Sequence, residues 1–469
     1  MGVQETSNLL LIDDKVSIKT KIAFGLSGAS SSVMEGMVFG SITYFYNVKL
    51  LLDGGLIGIA WIIFGFWNAL NDPILGIMQE KTQSKLGRRI PYIRYGSLFF
   101  GALFILSWIP LFGRSETALF INFILVLFLF DTIFTLVGLV NYSLPAEMAM
   151  TAKSRASISA YTTILGAIGV LISMVVPMIL FTEGRDLPPS FYPTIIIIGL
   201  ASTLIMFVSS FFLKENQYAQ QEETLGFFES IKWCLKNKPF LINEVNFFFF
   251  QIAYTILTSA IFYYVDFVLE LGGDQSFYPV IAVFITIFIA AGFISTKVEK
   301  WGLKKIYIGC LLFSGVMFFI AYFVGSYFIP GVIMMALIGF GIGGRMVTEG
   351  VIMADIIDFD ETQTGKRRET TYAGVNALFI KPAISIGNWL YLKIFGIYGF
   401  NPESAVQGPD VKDGILLGFF LIPGIIMLIS ALAMKFYPLD GPEWKKKKIE
   451  MQLIHQQKEK DFLSILKKK

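Results

Sequence analysis

The sequence predicts an all-α polytopic membrane protein of about twelve spanning helices arranged as two six-helix halves. Three observations lead there. The chain falls into long, continuously apolar runs; its charge is too sparse for a water-facing surface; and its positive charges gather in alternate connecting loops.

A hydrocarbon core about 30 Å thick needs about 20 apolar residues per helix. By that measure the first half holds spans at 22–47, 55–79, 95–112, 118–141, 158–181 and 191–213, and the second at 240–267, 277–296, 306–327, 329–354, 371–396 and 414–436. The runs are continuously apolar rather than alternating, so helices, which satisfy their own backbone in lipid, are expected instead of barrel strands.

Composition agrees. Of 469 residues, 55% are hydrophobic and only 16% charged, against about a quarter charged in soluble domains; the mean hydropathy is +0.65. A formal net charge of +3 implies no nucleic-acid partner. The single histidine, His455, and the isolated Cys234 and Cys310 leave no basis for a catalytic dyad, a disulfide or a His-centred metal site. No Gly-Lys-Ser/Thr phosphate loop appears, so neither an ATP-driven pump nor a membrane enzyme is expected, and no cofactor. The start carries Asp13, Asp14 and Lys15 without a short apolar run and cleavage site, so no removable signal peptide is expected.

Orientation follows from the loops. Lys81, Lys85, Arg88, Arg89 and Arg94 lie between spans two and three, Lys153 and Arg155 after span four, Lys297, Lys300, Lys304 and Lys305 after span eight, and Lys366, Arg367 and Arg368 after span ten. The intervening loops carry almost none, which places both termini in the cytoplasm of a cell-membrane protein. The longest connection, 214–239, turns amphipathic, with Phe227, Phe228, Ile231 and Leu235 opposing Glu229, Lys232 and Lys236. An interfacial helix is expected there. It divides the chain into an N-terminal half (1–213), a linker (214–239), a C-terminal half (240–436) and a basic cytoplasmic tail (437–469) that touches anionic headgroups.

An internal repeat supports the two halves. After span two comes Glu80-Lys81 through Gly87-Arg88-Arg89; after span eight comes Glu299-Lys300-Trp301-Gly302-Leu303-Lys304-Lys305. Each is a short turn carrying an acid, a glycine and paired cations. Parallel six-helix halves with such turns are the layout of the major facilitator fold, with its binding site between the halves at the midplane.

Three ordered motifs then carry a family resemblance. They are Asn71-Asp72-Pro73 with Gly76 and Thr82 through Tyr92; Tyr142-Ser-Leu-Pro145-Ala-Glu147 with Arg155; and Ala354-Asp355-Ile-Ile-Asp358-Phe-Asp-Glu361 through Glu369, followed by Lys381. Together they resemble the glycoside–pentoside–hexuronide:cation symporters, the melibiose-permease-like branch of the major facilitator superfamily, over essentially the whole chain. The resemblance implies coupled movement of a sugar-like solute with Na⁺, H⁺ or Li⁺. There are departures. Where the sugar permeases place two acids one turn apart in the second helix, this chain has Asn68 and Asp72; Gly138 and Tyr142 stand where they have a sugar-binding Asp and a Trp; and span five has no Arg. A carrier of a lysolipid or other amphiphile on the same fold, and a non-transporting membrane receptor, are the alternative readings.

Each charge in mid-span needs a partner or a cavity. Asn68 and Asp72 share a helix face, and Pro73 frees the carbonyl of Ala69. An all-oxygen set results, suited to a hard coupling cation, Na⁺ or H⁺; a structural kink with a paired acid is the plainer reading. Glu35, beside Ser31 and Ser32, joins this cation-binding group or makes a packing contact. Asp131, Thr135, Gly138 and Tyr142 form a polar stripe on span four. Lys381, in span eleven with Asn388 and Trp389, is expected to pair with Asp72 or Asp131 across the halves. Lys381, Asp131, Tyr142, Trp389 and Asn388 are the candidate substrate contacts, with Trp67 and Tyr254 as looser ones. Arg345 and Glu349, in a Gly-rich run, read as an internal ion pair or a gate. Glu80 with Arg88 and Arg89, Glu147 with Arg155, and Asp355 with Asp358 read as latches or as topology-setting charge. A functional monomer with a small-molecule solute and the bilayer as its partners is expected.

Overall fold

The computed structural model describes residues 16–450 apart from 150–151, 182–185, 215–226, 273–274, 365–368, 405 and 445; the side chains of Glu80, Ala146, Glu147, Ala152, Lys153, Arg155, Ala156, residues 227–230, Glu299, Glu369 and Thr370 are also not described. Almost everything described is helix. The first six helices are α1 (Ile18–Tyr44), α2 (Gly54–Glu80), α3 (Ile90–Leu106), α4 (Glu116–Met148), α5 (Ala152–Phe181) and α6 (Phe191–Ser209). The second six are α7 (Lys238–Tyr263), α8 (Tyr278–Ser295), α9 (Leu303–Val324), α10 (Phe328–Thr364), α11 (Glu369–Ile397) and α12 (Val411–Lys435). Ten helices among the described residues are long and apolar enough to cross a membrane. Of the twelve, α3 is short and broken at Tyr95, and α11 carries Lys381 in its middle.

Local chemistry sets the starts. Asp53 accepts the Gly55 and Leu56 amides at the head of α2 at 2.9 and 3.1 Å, and Asn237 accepts the Phe240 amide at the head of α7 at 3.2 Å, with Pro239 in the first turn. Asn237 also donates to the Tyr372 hydroxyl at 2.8 Å, tying α7 to α11. The linker helix Phe227–Cys234 packs against α11, with Cys234 buried.

The packing pattern occurs twice. In the first half α1 packs on α5 and α6, α2 on α4, and α3 on α4 and α6; in the second α7 packs on α11 and α12, α8 on α10, and α9 on α10 and α12. Glycine brings several of these pairs into backbone contact. A methyl on Gly339 or Gly343 of α10 would lie 2.4 and 2.3 Å from the carbonyl oxygens of Val283 and Ile287 on α8. Without a water-driven force between helices in lipid, this close approach supplies the packing energy. The halves meet mainly where α2 lies along α11, more lightly where α5 meets α8, and at the ends of α1 and α7.

Those two ends are built alike. Each closes in a five-residue π turn, Phe45–Lys49 and Tyr264–Val268, and each is followed by a non-glycine residue at positive φ, Leu51 at 65° and Glu270 at 51°. The two ends also grip each other. The Tyr44 hydroxyl donates to the Asp266 carboxylate, and the Tyr263 hydroxyl donates to Asn47 Oδ1 at 2.9 Å. In the repeat Tyr44 corresponds to Tyr263 and Asn47 to Asp266, so the contact is reciprocal across a pseudo-twofold axis, as in an isologous interface. Aromatic packing of Tyr44 on Phe181, Phe262 and Tyr263 surrounds it. The halves are therefore shut at the end remote from the chain termini.

The segment after α12 folds back onto the second half, where the sequence suggested a headgroup-facing tail. Tyr437 and Trp444 are buried, Trp444 Nε1 donates to Asp355 at 3.0 Å, and the Lys448 ammonium pairs with the same carboxylate. Apolar burial and a charge partner inside the fold win over the membrane surface for this part; the rest of the basic tail lies outside the described residues.

The reciprocal clamp gives a measurable expectation. A hydrogen bond to a charged group contributes about 1.5–3 kcal/mol and a neutral one about 0.5–1.5. Tyr44→Phe with Tyr263→Phe should therefore shift the closed-to-open ratio at this end by roughly 30- to 2000-fold. Spin labels at the exposed positions Thr117 and Asp413 should then show a longer, broader distance distribution than in the parent; an unchanged distribution would mean that the clamp does not hold this end.

Candidate functional site

Four ionisable side chains from both halves converge where α2 lies against α11. Asp72 comes from α2, one residue before Pro73 in a helix that runs on unbroken. Lys381 comes from α11, one residue before Pro382. Their ion pair is 2.5 Å long, with side chains 14% and 17% exposed, so neither is surrendered to bulk water nor fully dry. Lys381 also donates to Asn71 Oδ1 at 2.9 Å and reaches Thr135 Oγ1 at 3.5 Å.

Asn71 is the bridge. Its carboxamide oxygen accepts from Lys381, while its nitrogen donates to the Asp131 carboxylate and to Thr135 Oγ1 at 3.2 Å. Asp131 and Thr135, one turn apart on α4, are both buried. Glu35 of α1 lies within electrostatic range of Asp131 and Lys381, and of Tyr254 on α7. One turn on, Phe39 packs edge-on against Phe130 and Phe134 of α4, which fixes that face of α1 toward the cluster. Asn68, one turn before Asp72, is buried, and its amide oxygen has no partner among the described residues.

The electrostatic consequence is direct. Three carboxyl groups share one ammonium in a partly desolvated place, so the cluster has room to take up a further cation or a proton, and it has an unclaimed oxygen at Asn68. Its donors are carboxylate, amide and hydroxyl oxygens, the set that suits a hard monovalent cation or a proton. No group of three or more His, Cys, Asp or Glu arranged for a metal occurs among the described residues.

Other residues singled out from the sequence make separate contacts. Tyr142 lies seven residues beyond Thr135 on α4, about 10 Å along the axis, and is exposed. Asn388 is fully buried; it donates to Ile384 O at 3.1 Å and accepts from Tyr391 at 3.3 Å and from Thr43 of α1 at 3.4 Å, positions that hold α11 together and against α1. Trp389 packs against Gly58 where α2 meets α11. Trp67 donates to Thr132 at 3.2 Å and stacks on Phe128, and Tyr254 stacks on Phe250. Arg345 and Glu349 form an ion pair at 2.8 Å. Their partners Tyr307 and Asn243 belong to the same half, so the internal pair, and not a latch between halves, is what the fold builds. Arg89 is likewise held inside the first half, donating to Gln79 at 2.9 Å, and Arg88 is half-buried. Asp355 faces the segment after α12, as described above, and Asp358 is half-buried one turn on. The side chains of Glu80, Glu147 and Arg155 lie outside the described residues.

Sequence reasoning passed over Asn71, although it sits in the same tripeptide as Asp72. It also left Glu244 out of the mid-span charges, although an acid among Phe and Ile residues in the seventh span was a readable signal.

A twelve-helix chain of two like halves, with charged groups meeting at their contact, is built as a membrane transporter. A model of the MFS/sugar transport protein family matches residues 22–441. The inner membrane symporter YicJ of Escherichia coli (strain K12) is 23% identical over 90% of this chain and 92% of its own. The putative glycoside/cation symporter YagG of the same organism is 19% identical over 91% and 93%. Among solved structures, the D-xylose-proton symporter superposes with a TM-score of 0.65 at 14% identity, covering 90% of this chain and 98% of that one, a likeness of fold. The chain belongs to the MFS/sugar transport protein family, in its glycoside–pentoside–hexuronide:cation symporter branch.

Removing one partner of a desolvated ion pair leaves an uncompensated charge and costs about 3–5 kcal/mol, toward the lower figure where water reaches the pair. Lys381→Ala should lower the melting temperature in detergent, and Asp72→Asn added to it should recover part of that loss. A double variant no more stable than Lys381→Ala alone would show that the pair is not coupled.

Proposed function

We propose that this transporter is a cation-coupled symporter of a sugar-like solute in the cell membrane, with both termini cytoplasmic. The observation that carries the reading is the Lys381–Asp72 ion pair joining α11 of one half to α2 of the other, with Asn71 relaying it to Asp131. A coupling ion, Na⁺ or H⁺, is drawn by the three carboxyl groups and competes with the ammonium for Asp72 and Asp131. Once it binds, Asp72 stays compensated while Lys381 loosens from α2, and the tie between halves changes. Solute enters between the halves beside this cluster, where Lys381 and the Trp389 edge of the α2–α11 contact offer a polar and an aromatic contact. With the basic loops on the cytoplasmic side, the clamped end of α1 and α7 would be the outer end, closed in the described state.

The names of relatives add weight, since a glycoside/cation symporter and a D-xylose–proton symporter share the chain's family or fold. The experiment is uptake of labelled hexoses, pentoses and uronic acids into proteoliposomes under an imposed Na⁺ or pH gradient. One solute class should accumulate at least tenfold more with one gradient than with none, and Asp72→Asn should abolish that dependence. Cation dependence that survives Asp72→Asn would overturn the ion assignment; uptake of lysolipid with indifference to sugars would replace the solute.

A further inference from the structure

The second half holds a buried charged network of its own, away from the α2–α11 contact. Within the first three turns of α7, Asn243, Glu244 and Asn246 are all buried. Asn243 Nδ2 donates to Glu349 Oε1 at 2.9 Å, and the Tyr307 hydroxyl lies 2.6 Å from Glu349 Oε2 and 2.6 Å from Asn246 Oδ1. Arg345 pairs with Glu349, donates Nε to the Tyr307 hydroxyl at 2.8 Å, and places its guanidinium 4.2 and 3.9 Å from the Phe247 and Phe250 ring centroids. The single cation is thus committed to Glu349 and to two aromatic faces.

Glu244 is the second carboxyl group, within electrostatic range of both Glu349 and Arg345. Its Oε1 accepts from Asn376 Nδ2 of α11 at 3.0 Å. Its Oε2 is buried with no partner among the described residues, and the side chain is 1% exposed. The charged groups that act on it are Arg345 and Glu349 from α10; Tyr307 from α9 bonds Glu349, and Tyr437 after α12 lies within electrostatic range of Glu349. Asn376 and Ser430 from α11 and α12 are neutral. Two carboxyls against one guanidinium leave one negative charge unmatched in a dry place, where an isolated ionised carboxylate is not sustained. A metal cation needs several converging oxygens. Only Glu244 Oε2 and Asn243 Oδ1 are unclaimed here, and adjacent helix residues point about 100° apart. A proton needs one oxygen.

We propose that Glu244 is a proton-binding site inside the C-terminal half, distinct from the ion cluster at Asp72. Its proton sits on Oε2 while Asn376 holds Oε1, so the site reports the position of α11, which carries Lys381 five residues further on, about 7.5 Å along the axis. When α11 shifts, Asn376 leaves Glu244, the carboxyl meets water, and the proton departs. This last step rests on the symport reading; the protonated carboxyl does not.

The test is infrared difference spectroscopy of the full chain in lipid, titrated with pH in H₂O and D₂O. A protonated-carboxyl C=O band that shifts in D₂O should be lost in Glu244→Gln and kept in Asp72→Asn. In Asn376→Leu, which guards against a Glu244 variant that fails to fold, the band should move to higher frequency as its hydrogen bond disappears. A band indifferent to Glu244→Gln and to Asn376→Leu would overturn the site. In proteoliposomes, Glu244→Gln should flatten the pH dependence of net uptake while sparing solute exchange. The infrared result needs no transport, so a band that behaves as stated with no cation-dependent uptake would refute the symport reading and leave the site standing.

Discussion

A lysine ammonium in the middle of a bilayer has few stable arrangements, and the architecture is organised around the one found here. Lys381 is too deep on α11 to reach either interface, so it must find anions within the protein. They come from α2 directly and from α4 through Asn71, with the Glu35 carboxyl of α1 in range. Because α11 belongs to one half and its partners to the other, the charge requirement is also what joins the halves at this depth. On the proposed reading, any ion that takes a share of those carboxyls weakens that join, which would be the physical content of coupling: differential binding to two arrangements of the same bundle.

Such a switch works only if each half moves as a unit. The glycine contacts of α10 on α8 bring backbones together so closely that no side chain can be inserted, and bodies packed like this slide or rock but do not deform. The clamp at the ends of α1 and α7 is a separate device. It uses two hydroxyl donors and two acceptors, reciprocally placed, at the end where the chain has already been bent by π turns and positive-φ residues. Symmetric and built from only two hydrogen bonds, it suits a contact that is made and broken.

The halves are alike in path and unlike in chemistry. In the first, the acids stand at the surface that meets the partner half. In the second, Glu244, Arg345 and Glu349 are turned inward among Tyr307, Asn243 and Asn246. Asn376 joins that inner network to α11, so one helix touches both charged centres.

Much of this was readable in the linear chain. The all-helical membrane bundle, and the need of Asp72 and Lys381 for a partner, follow from apolar run length and the cost of an ionised group in hydrocarbon, all properties of residues taken singly or in short windows. What the tertiary structure decided are matters of partnership. Asn71 rather than Asn68 mediates the ion cluster, because helix rotation and not spacing selects which amide faces α4 and α11. Arg345 and Glu349 close on each other and on Tyr307 because α9 and α10 are drawn together by glycine, a distance no local pattern contains. Asn388 turns into packing, Tyr142 lies about 10 Å away along α4, and Trp444 returns to Asp355 because burial and pairing depend on what the rest of the chain brings near. The sequence by itself determined which groups water and lipid would not tolerate unpartnered; only the folded chain, by fixing helix rotation and approach, decided which partner each received.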